Sequence, residues 1–142
     1  MERQVKVGVL GAGYWGPKLI RNFQEIPSAD MAMVCDLRQD RLDHIRDLYP
    51  TVHVTTDYKE LLRSDVEAVA IATPIPTHHR LAREALLAGK HVLVEKPLTA
   101  NSEEAEDLVN LSERLGLSLM VGHTFEYNPA VEYLRNLIAN GE

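Results

Sequence analysis

The feature that most restricts how this chain can fold is a glycine-rich loop between a strand and a helix. An apolar run, residues 5–10, leads into Gly11-Ala12-Gly13-Tyr14-Trp15-Gly16, and an amphipathic helical pattern follows. In this setting Gly11 permits a tight turn, Gly13 lets a dinucleotide pyrophosphate approach the backbone, and Gly16 allows the helix to pack closely on the strand. Unpaired N–H groups at the start of that helix favour phosphates. The pattern therefore indicates a dinucleotide-binding loop, and the alternative is a glycine-rich turn without a ligand.

Apolar runs alternate with amphipathic helical stretches along the rest of the sequence. The runs are typical of strands at residues 5–10, 31–35, 52–54, 67–71, 91–94 and 118–121. Most of them are apolar throughout, as expected for parallel strands that are covered on both faces. The alternation predicts an α/β fold, a doubly wound parallel sheet (Rossmann) of about six strands in a single domain over residues 1–142.

Capping signals set the limits of several helices. Asp57 and Glu60 have the spacing of a capping box for a short third helix, and Thr77 is placed to cap the fourth. Asn128, followed by Pro129, gives the preferred start for the last helix. That helix carries apolar residues at helical spacing, namely Val131, Leu134, Leu137 and Ile138.

Composition excludes several classes of function. The net charge is −6 and no Lys/Arg cluster is visible, so nucleic acid is not expected as a partner. No apolar run reaches the length of a membrane span, and no signal peptide is recognisable, so we expect a cytoplasmic protein that does not bind membranes. The single cysteine, Cys35, is expected at a buried strand end. The histidines lack metal-ligand spacing, and we predict no metal.

Asp36 ends the second predicted strand and lies 20 residues after Gly16. A carboxylate in this position can accept hydrogen bonds from the adenosine ribose hydroxyls, and it repels a 2′-phosphate. The residue therefore favours NAD as the cofactor over NADP. Arg38 and Arg41 lie nearby and could hold a 2′-phosphate, so NADP is the less favoured alternative.

Chemically distinctive residues follow the carboxyl ends of the later strands, where ligands bind in open α/β sheets. The segments are residues 73–79 after the fourth strand, 95–97 after the fifth and 122–128 after the sixth. Lys96 is the sharpest candidate for catalysis, because an ammonium beside a substrate hydroxyl can stabilise a developing alkoxide and relay its proton. The alternative is a surface lysine paired with Glu95.

Two pairs of adjacent residues, His78 with His79 and Tyr14 with Trp15, lie in the segments expected to contact the cofactor. On a helix, His78 and His79 point about 100° apart, so we expect His78 to face the cofactor and His79 to face solvent. Tyr14 and Trp15 follow the glycine turn and either cover the pyrophosphate or ribose or simply pack.

Together these residues resemble the Gfo/Idh/MocA oxidoreductases, the family named for glucose–fructose oxidoreductase and inositol dehydrogenase. The resemblance covers the whole chain. It is carried by the glycine motif, Asp36, Ala72-Thr73-Pro74 with His78 four residues beyond the proline, and Glu95-Lys96-Pro97. The Glu-Lys-Pro element in this position is the specific part, because many folds share the glycine motif.

The resemblance implies a role for each matching residue. Lys96 would contact substrate and assist proton transfer, and Glu95 would lie near the nicotinamide ribose. Thr73, Pro74 and His78 would line the cofactor, and the Lys96–Pro97 peptide bond would be cis. Residues 13–17 and 122–129 look like the subgroup that oxidises nucleotide-linked sugars, such as UDP-N-acetylglucosamine derivatives at the 3-hydroxyl. The substrate candidates are then Lys96, His123, Tyr127 and Asn128.

The resemblance also implies a second α/β domain that supplies most substrate contacts, and we expect it to be absent from these 142 residues. We therefore expect that this chain alone is incomplete for turnover, and that its uncovered face favours a homo-oligomer. The leading interpretation is the cofactor domain of a sugar or polyol dehydrogenase. A non-catalytic NAD-binding or sensing module, and a relative that uses NAD transiently in elimination or glycoside cleavage, remain as alternatives.

Overall fold

In the computed structural model, which describes residues 3–141, strands and helices alternate from end to end. The strands are β1 Val5–Leu10, β2 Ala29–Cys35, β3 His53–Thr55, β4 Ala68–Ile71, β5 His91–Val94 and β6 Leu119–Val121. The helices are α1 Gly16–Glu25, α2 Gln39–Leu48, α3 Tyr58–Arg63, α4 His78–Leu87, α5 Ser102–Leu115 and α6 Pro129–Ala139. These positions confirm the predicted strands to within two residues at either end.

The six strands form one sheet in the order β3-β2-β1-β4-β5-β6, and every neighbouring pair is parallel. The chain reverses its direction of travel across the sheet between β1 and β4. Because parallel strands end on the same edge, the loops after all six strands gather at one side of the domain. The predicted doubly wound sheet is confirmed, and the crevice at its reversal point lies beside the glycine loop.

Two hydrophobic cores cover the two faces of the sheet, and alternate strand residues belong to different cores. One core joins the sheet to α1 and α2, and it includes Val9, Ile20, Val34, Leu42, Ile45 and Ala70. The other joins it to α3, α4 and α5, and it includes Leu10, Leu61, Ile71, Leu86, Val94 and Leu108. Cys35 closes β2 within the second core, and burial raises the pKa of its thiol to about 12. The thiol is therefore protonated at neutral pH.

The capping box expected at the start of α3 forms only in part. Asp57 caps the helix, and its carboxylate accepts the Lys59 N–H at 2.9 Å. The Glu60 carboxylate does not reach back to Asp57, because it accepts hydrogen bonds from Thr55 and contacts the His53 ring instead. The Glu60 carboxylate therefore binds two side chains of β3 in place of the Asp57 backbone N–H.

The expected side-chain cap at Thr77 does not form. Its hydroxyl is 2.7 Å from the Thr73 hydroxyl and donates to the Pro74 carbonyl at 2.7 Å, so it ties the loop after β4 together. At α6 the prediction is confirmed, because the Asn128 side chain accepts the Ala130 N–H at 2.9 Å. These two loops thus enter their helices by different means.

The last helix has an apolar side that the described part of the chain does not cover. No residue of α6 is buried, and Leu134 and Ile138 are 56% and 75% exposed. In the preceding turn Phe125 and Tyr127 are also largely exposed. Ile26, just beyond the end of α1, is exposed as well. None of the helices within residues 3–141 combines the length and apolar character that crossing a bilayer requires.

Candidate functional site

A cleft of about 640 Å³ opens at the carboxyl ends of the central strands. Its walls come from the loops after β1, β2, β3 and β4 and from the first turn of α4. Seven of the residues predicted to contact a cofactor line it, namely Gly11, Gly13, Tyr14, Trp15, Asp36, Thr73 and Pro74. The cleft therefore brings together residues that are far apart in sequence, as sheet polarity requires.

Two glycines of the loop are required by the protein's own packing. Gly11 has a φ of +97°, and a Cβ there would lie 2.7 Å from the Ala72 carbonyl oxygen. A Cβ on Gly16 would lie 2.0 Å from the Gly11 carbonyl oxygen, well inside any tolerable contact. Both positions therefore exclude a side chain before any ligand is considered.

Gly13 is different, because the described protein leaves room for a side chain there. A Cβ on Gly13 would meet only the Arg41 guanidinium, at 3.5 Å. The residue lies at the cleft, just before the first turn of α1, where backbone N–H groups lack partners within the helix. The space above Gly13 is thus compatible with close approach of a phosphate to the backbone.

Asp36 joins the loop after β2 to the glycine loop. Its carboxylate is 8% exposed and accepts the Ala12 N–H at 2.7 Å and the Arg38 N–H at 2.8 Å. The Arg41 guanidinium lies 3.3 Å from the same carboxylate. It also lies next to Gly13, 3.5 Å from the position that a Cβ would take there. Asp36 consequently holds the loop in shape as well as presenting negative charge to the cleft.

Tyr14 and Trp15 form an exposed aromatic pair at the cleft. Their rings meet edge to face with centroids 5.5 Å apart. The Lys18 ammonium lies 3.6 Å from the Tyr14 ring centroid and 4.3 Å from that of Trp15. The Lys18 ammonium beside the ring lowers the pKa of the Tyr14 hydroxyl. The cluster places one positive charge beside the glycine loop.

His78 is placed differently from the expectation. Its side chain has no exposed surface, and both ring nitrogens contact backbone carbonyl oxygens, those of Pro97 at 2.9 Å and Thr73 at 2.7 Å. This burial does not favour direct contact with a cofactor. His79, expected in solvent, is half-buried and pairs with Asp107 at 2.8 Å. Each histidine thus has a partner from a different part of the fold.

Lys96 follows β5 at the same edge of the sheet, but it does not line the cleft. Its side chain is exposed, and within residues 3–141 its ammonium has no hydrogen-bond partner and no salt bridge to Glu95. The Glu95 carboxylate lies instead against Gly122, where an added Cβ would be 3.2 Å away. The Lys96–Pro97 bond is cis, as predicted.

The three further substrate candidates lie outside the cleft, after β6. His123 and Tyr127 are exposed, and the Asn128 side chain caps α6. The structure therefore gathers the cofactor candidates more closely than the substrate candidates. Among residues 3–141, no three His, Cys, Asp or Glu side chains are grouped so that they could hold a metal ion.

Sequence reasoning missed part of the cleft wall. Leu37, Thr56 and Tyr58 line it directly after β2 and β3, so the polarity of the sheet could have indicated them. Arg80 also lines it, and its guanidinium lies 5.3 Å from the Tyr58 ring centroid and donates to the Tyr58 hydroxyl. No local motif marks Arg80, because its partner comes from another helix.

A glycine loop at the carboxyl edge of a parallel sheet, tied to an acidic residue at the end of β2, defines a dinucleotide-binding Rossmann domain. The chain belongs to the Gfo/Idh/MocA oxidoreductase family, whose NAD-binding Rossmann-fold model matches residues 5–123. The UDP-N-acetylglucosamine 3-dehydrogenase of Acidithiobacillus ferrooxidans is 32% identical over 136 residues, which cover 92% of this chain and 41% of that protein.

Solved structures of oxidoreductases also match this chain. The 3-ketoreductase KijD10 from Actinomadura kijaniata, in complex with NADP and TDP-benzene, matches with a TM-score of 0.91 and 28% identity, over 98% of this chain and 43% of that one. The scyllo-inositol dehydrogenase of Lactobacillus casei, with NAD(H) and scyllo-inositol, matches with a TM-score of 0.90 and 25% identity, over 98% and 42%. This chain therefore spans well under half the length of these relatives, which include structures with either nicotinamide cofactor.

The three glycines predict three different mutational outcomes. Gly11→Ala and Gly16→Ala should each lower the free energy of unfolding by about 1–3 kcal/mol, because the new Cβ meets backbone. Gly13→Ala should change it by less than about 0.5 kcal/mol. The same Gly13→Ala change should weaken NAD binding by about tenfold or more, because the Cβ occupies the space above the backbone.

Urea denaturation and calorimetric titration with NAD separate the two effects, and Gly13→Ala serves as the matched control for Gly16→Ala. If Gly13→Ala bound NAD as tightly as the unmodified chain, a pyrophosphate could not lie against that residue.

Proposed function

We propose that this chain is the nucleotide-binding domain of an NAD-dependent oxidoreductase that transfers hydride between the hydroxyl-bearing carbon of a sugar, polyol or nucleotide sugar and NAD. The observation that carries the proposal is the exposed ammonium of Lys96, which follows β5 at the same edge of the sheet as the glycine-loop cleft. Membership of an oxidoreductase family supports it. A module that only sensed NAD would need no lysine at this position.

The residues of the cleft fit a dinucleotide. The space above Gly13 would accept the pyrophosphate, and the buried Asp36 carboxylate would accept hydrogen bonds from the adenosine ribose. Thr73 and Pro74 would lie along the nicotinamide half, with Glu95 near its ribose. Tyr14 and Trp15 would cover the pyrophosphate. When bound, the cofactor accepts or returns the hydride.

The role proposed for Lys96 is proton transfer at the substrate hydroxyl. Its ammonium would donate a hydrogen bond to the substrate oxygen, and this bond strengthens as negative charge develops on that oxygen. In the reduction direction that ammonium would give its proton to the oxygen and become a neutral amine, and in the oxidation direction the neutral amine would accept the proton of the hydroxyl. Since Glu95 lies against Gly122 and not on the ammonium, Lys96 has no ion-pair partner to release among residues 3–141.

The names of two relatives support a class of substrate for this chain. One of them is named for the 3-dehydrogenation of UDP-N-acetylglucosamine, and a solved neighbour holds TDP-benzene. We therefore favour a nucleotide-linked sugar, with His123, Tyr127 and Asn128 as further contacts. Because α6 exposes an apolar side, we also expect this chain to self-associate or to pack against another domain.

NAD is the preferred cofactor in this proposal because of the charges around Asp36. A 2′-phosphate would lie next to a buried carboxylate that already holds the Ala12 N–H, and the repulsion would weaken NADP binding. Arg41 is paired with that carboxylate at 3.3 Å. Arg38, the other candidate for a phosphate, is paired with Asp40 at 2.6 Å.

Calorimetric titration should therefore give tighter binding of NAD than of NADP, by about tenfold or more, or ~1.4 kcal/mol. Asp36→Asn should reduce the difference, since it removes the negative charge and keeps an oxygen that can accept the Ala12 N–H. Asp36→Ala should weaken both cofactors, because the glycine loop also loses its tie to β2.

Arg41→Ala is the matched control and should lower the residual affinity for NADP more than that for NAD. Equal or tighter binding of NADP by the unmodified chain would refute the assignment.

A polypeptide of these 142 residues should bind NAD without measurable turnover. Hydride transfer needs the substrate carbon held close to the nicotinamide, and such positioning contributes ~7–11 kcal/mol to rate enhancement. Here Lys96 lies on an open, hydrated surface, which weakens its field. The assay offers sugars, inositols and UDP-sugars at saturating NAD and follows NADH absorbance.

Turnover that persists after rigorous purification and disappears in Lys96→Ala, but not in the exposed control Lys59→Ala, would show that this chain is catalytically sufficient. Release of a sugar without net NADH would instead support elimination or glycoside cleavage.

A further inference from the structure

His78 is a fully buried, titratable side chain that the proposed chemistry does not use. It begins α4, and its ring lies between two loops that follow neighbouring strands. Nδ1 is 2.9 Å from the Pro97 carbonyl oxygen, in the segment after β5. Nε2 is 2.7 Å from the Thr73 carbonyl oxygen, in the segment after β4. The ring thus bridges the cofactor cleft and the segment that carries Lys96.

The chemistry of the two contacts is restrictive, because a carbonyl oxygen only accepts hydrogen bonds. A neutral imidazole carries one N–H, which the ring can donate to one of the two carbonyl oxygens. The other ring nitrogen then lies in contact with the second carbonyl group. The ring is held between the two backbone segments because it is fully buried and touches both of them.

We propose that His78 is a positioning residue whose buried ring fixes the Lys96-Pro97 segment to the Thr73 segment. The functional meaning rests on the proposed role of Lys96, although the bridge itself does not. The Pro97 carbonyl is one residue beyond Lys96, so holding it fixes where the lysine side chain leaves the backbone. The Thr73 carbonyl belongs to the cleft wall, so the same ring sets the spacing between the cleft and Lys96.

The surroundings explain why an internal bridge is needed here. Between the end of β5 and the start of α5 the chain forms no helix or strand from residue 95 to residue 101. Leu98 packs on the second core and Thr99 is buried, so this segment is anchored after Lys96. The His78 bond to Pro97 supplies an anchor immediately beside the lysine. Without it, the lysine backbone would be held only by the end of β5 and by Leu98.

The first test is NMR of the histidine rings in the 142-residue chain labelled with ¹⁵N. We expect His78 to show a slowly exchanging ring N–H proton, because the ring has no exposed surface and a carbonyl oxygen lies within hydrogen-bond distance of each nitrogen. The exposed His44 is the internal control and should show rapid exchange. A His78 ring N–H that exchanged as fast as that of His44 would overturn the bridge, and this outcome needs no variant.

The second test compares His78→Phe, which fills the space without a donor, with His78→Gln, whose amide can reach only one carbonyl. Backbone ¹⁵N relaxation should report faster motion at Glu95, Lys96 and Leu98 in the phenylalanine variant, and an intermediate change in the glutamine variant. The same measurement on Lys59→Ala, an exposed lysine away from both segments, should match the unmodified chain. Unaltered relaxation in the phenylalanine variant would contradict positioning.

Lys96→Ala separates this inference from the proposed function. The variant should retain the slowly exchanging ring N–H of His78 and the same backbone relaxation at Glu95 and Leu98. If Lys96 proves irrelevant to catalysis while the His78 results hold, the proposed function fails and the bridge stands. Loss of the slowly exchanging His78 ring N–H in Lys96→Ala would show that the lysine side chain holds the bridge, and the proposal would be wrong.

Discussion

The hydrogen bond from the Ala12 N–H to the buried Asp36 carboxylate joins the glycine loop to the end of β2, and the rest of the site is arranged around that loop. It depends on a sharp turn of the loop at Gly11, where φ is +97°, and it leaves Asp36 nearly inaccessible to solvent. Gly16 then lets α1 start against the same turn. The close packing at Gly11 and Gly16 therefore leaves open space above the backbone of Gly13.

The polarity of the sheet extends this arrangement to the other functional residues. Because all six strands are parallel, the loops carrying Asp36, Thr73 and Lys96 open on one side of the sheet. Lys90, before β5, differs from Lys96, because its buried ammonium donates to the Ser64 and Val66 carbonyls. Two lysines six residues apart therefore have different environments.

Much of this could be predicted from the sequence, because the signals are local. The strands, the glycine loop, Asp36 and the cap at Asn128 each depend on residues within a few positions of one another. The predictions that were wrong concern side chains with competing distant partners. Glu60 turns to the neighbouring strand, and His79, expected in solvent, pairs with Asp107, 28 residues away. Local patterns carry no information about such partners, since tertiary packing chooses them.

The most direct test of the central claim is an NMR measurement of nuclear Overhauser effects between NAD and the isotopically labelled chain. The account predicts contacts from the adenine protons to Leu37, beyond Asp36, and contacts from the nicotinamide ring protons to Pro74 and Lys96. That result would place the reactive end of the cofactor beside the lysine. Adenine contacts at Lys96, or nicotinamide contacts to neither Pro74 nor Lys96, would contradict the account.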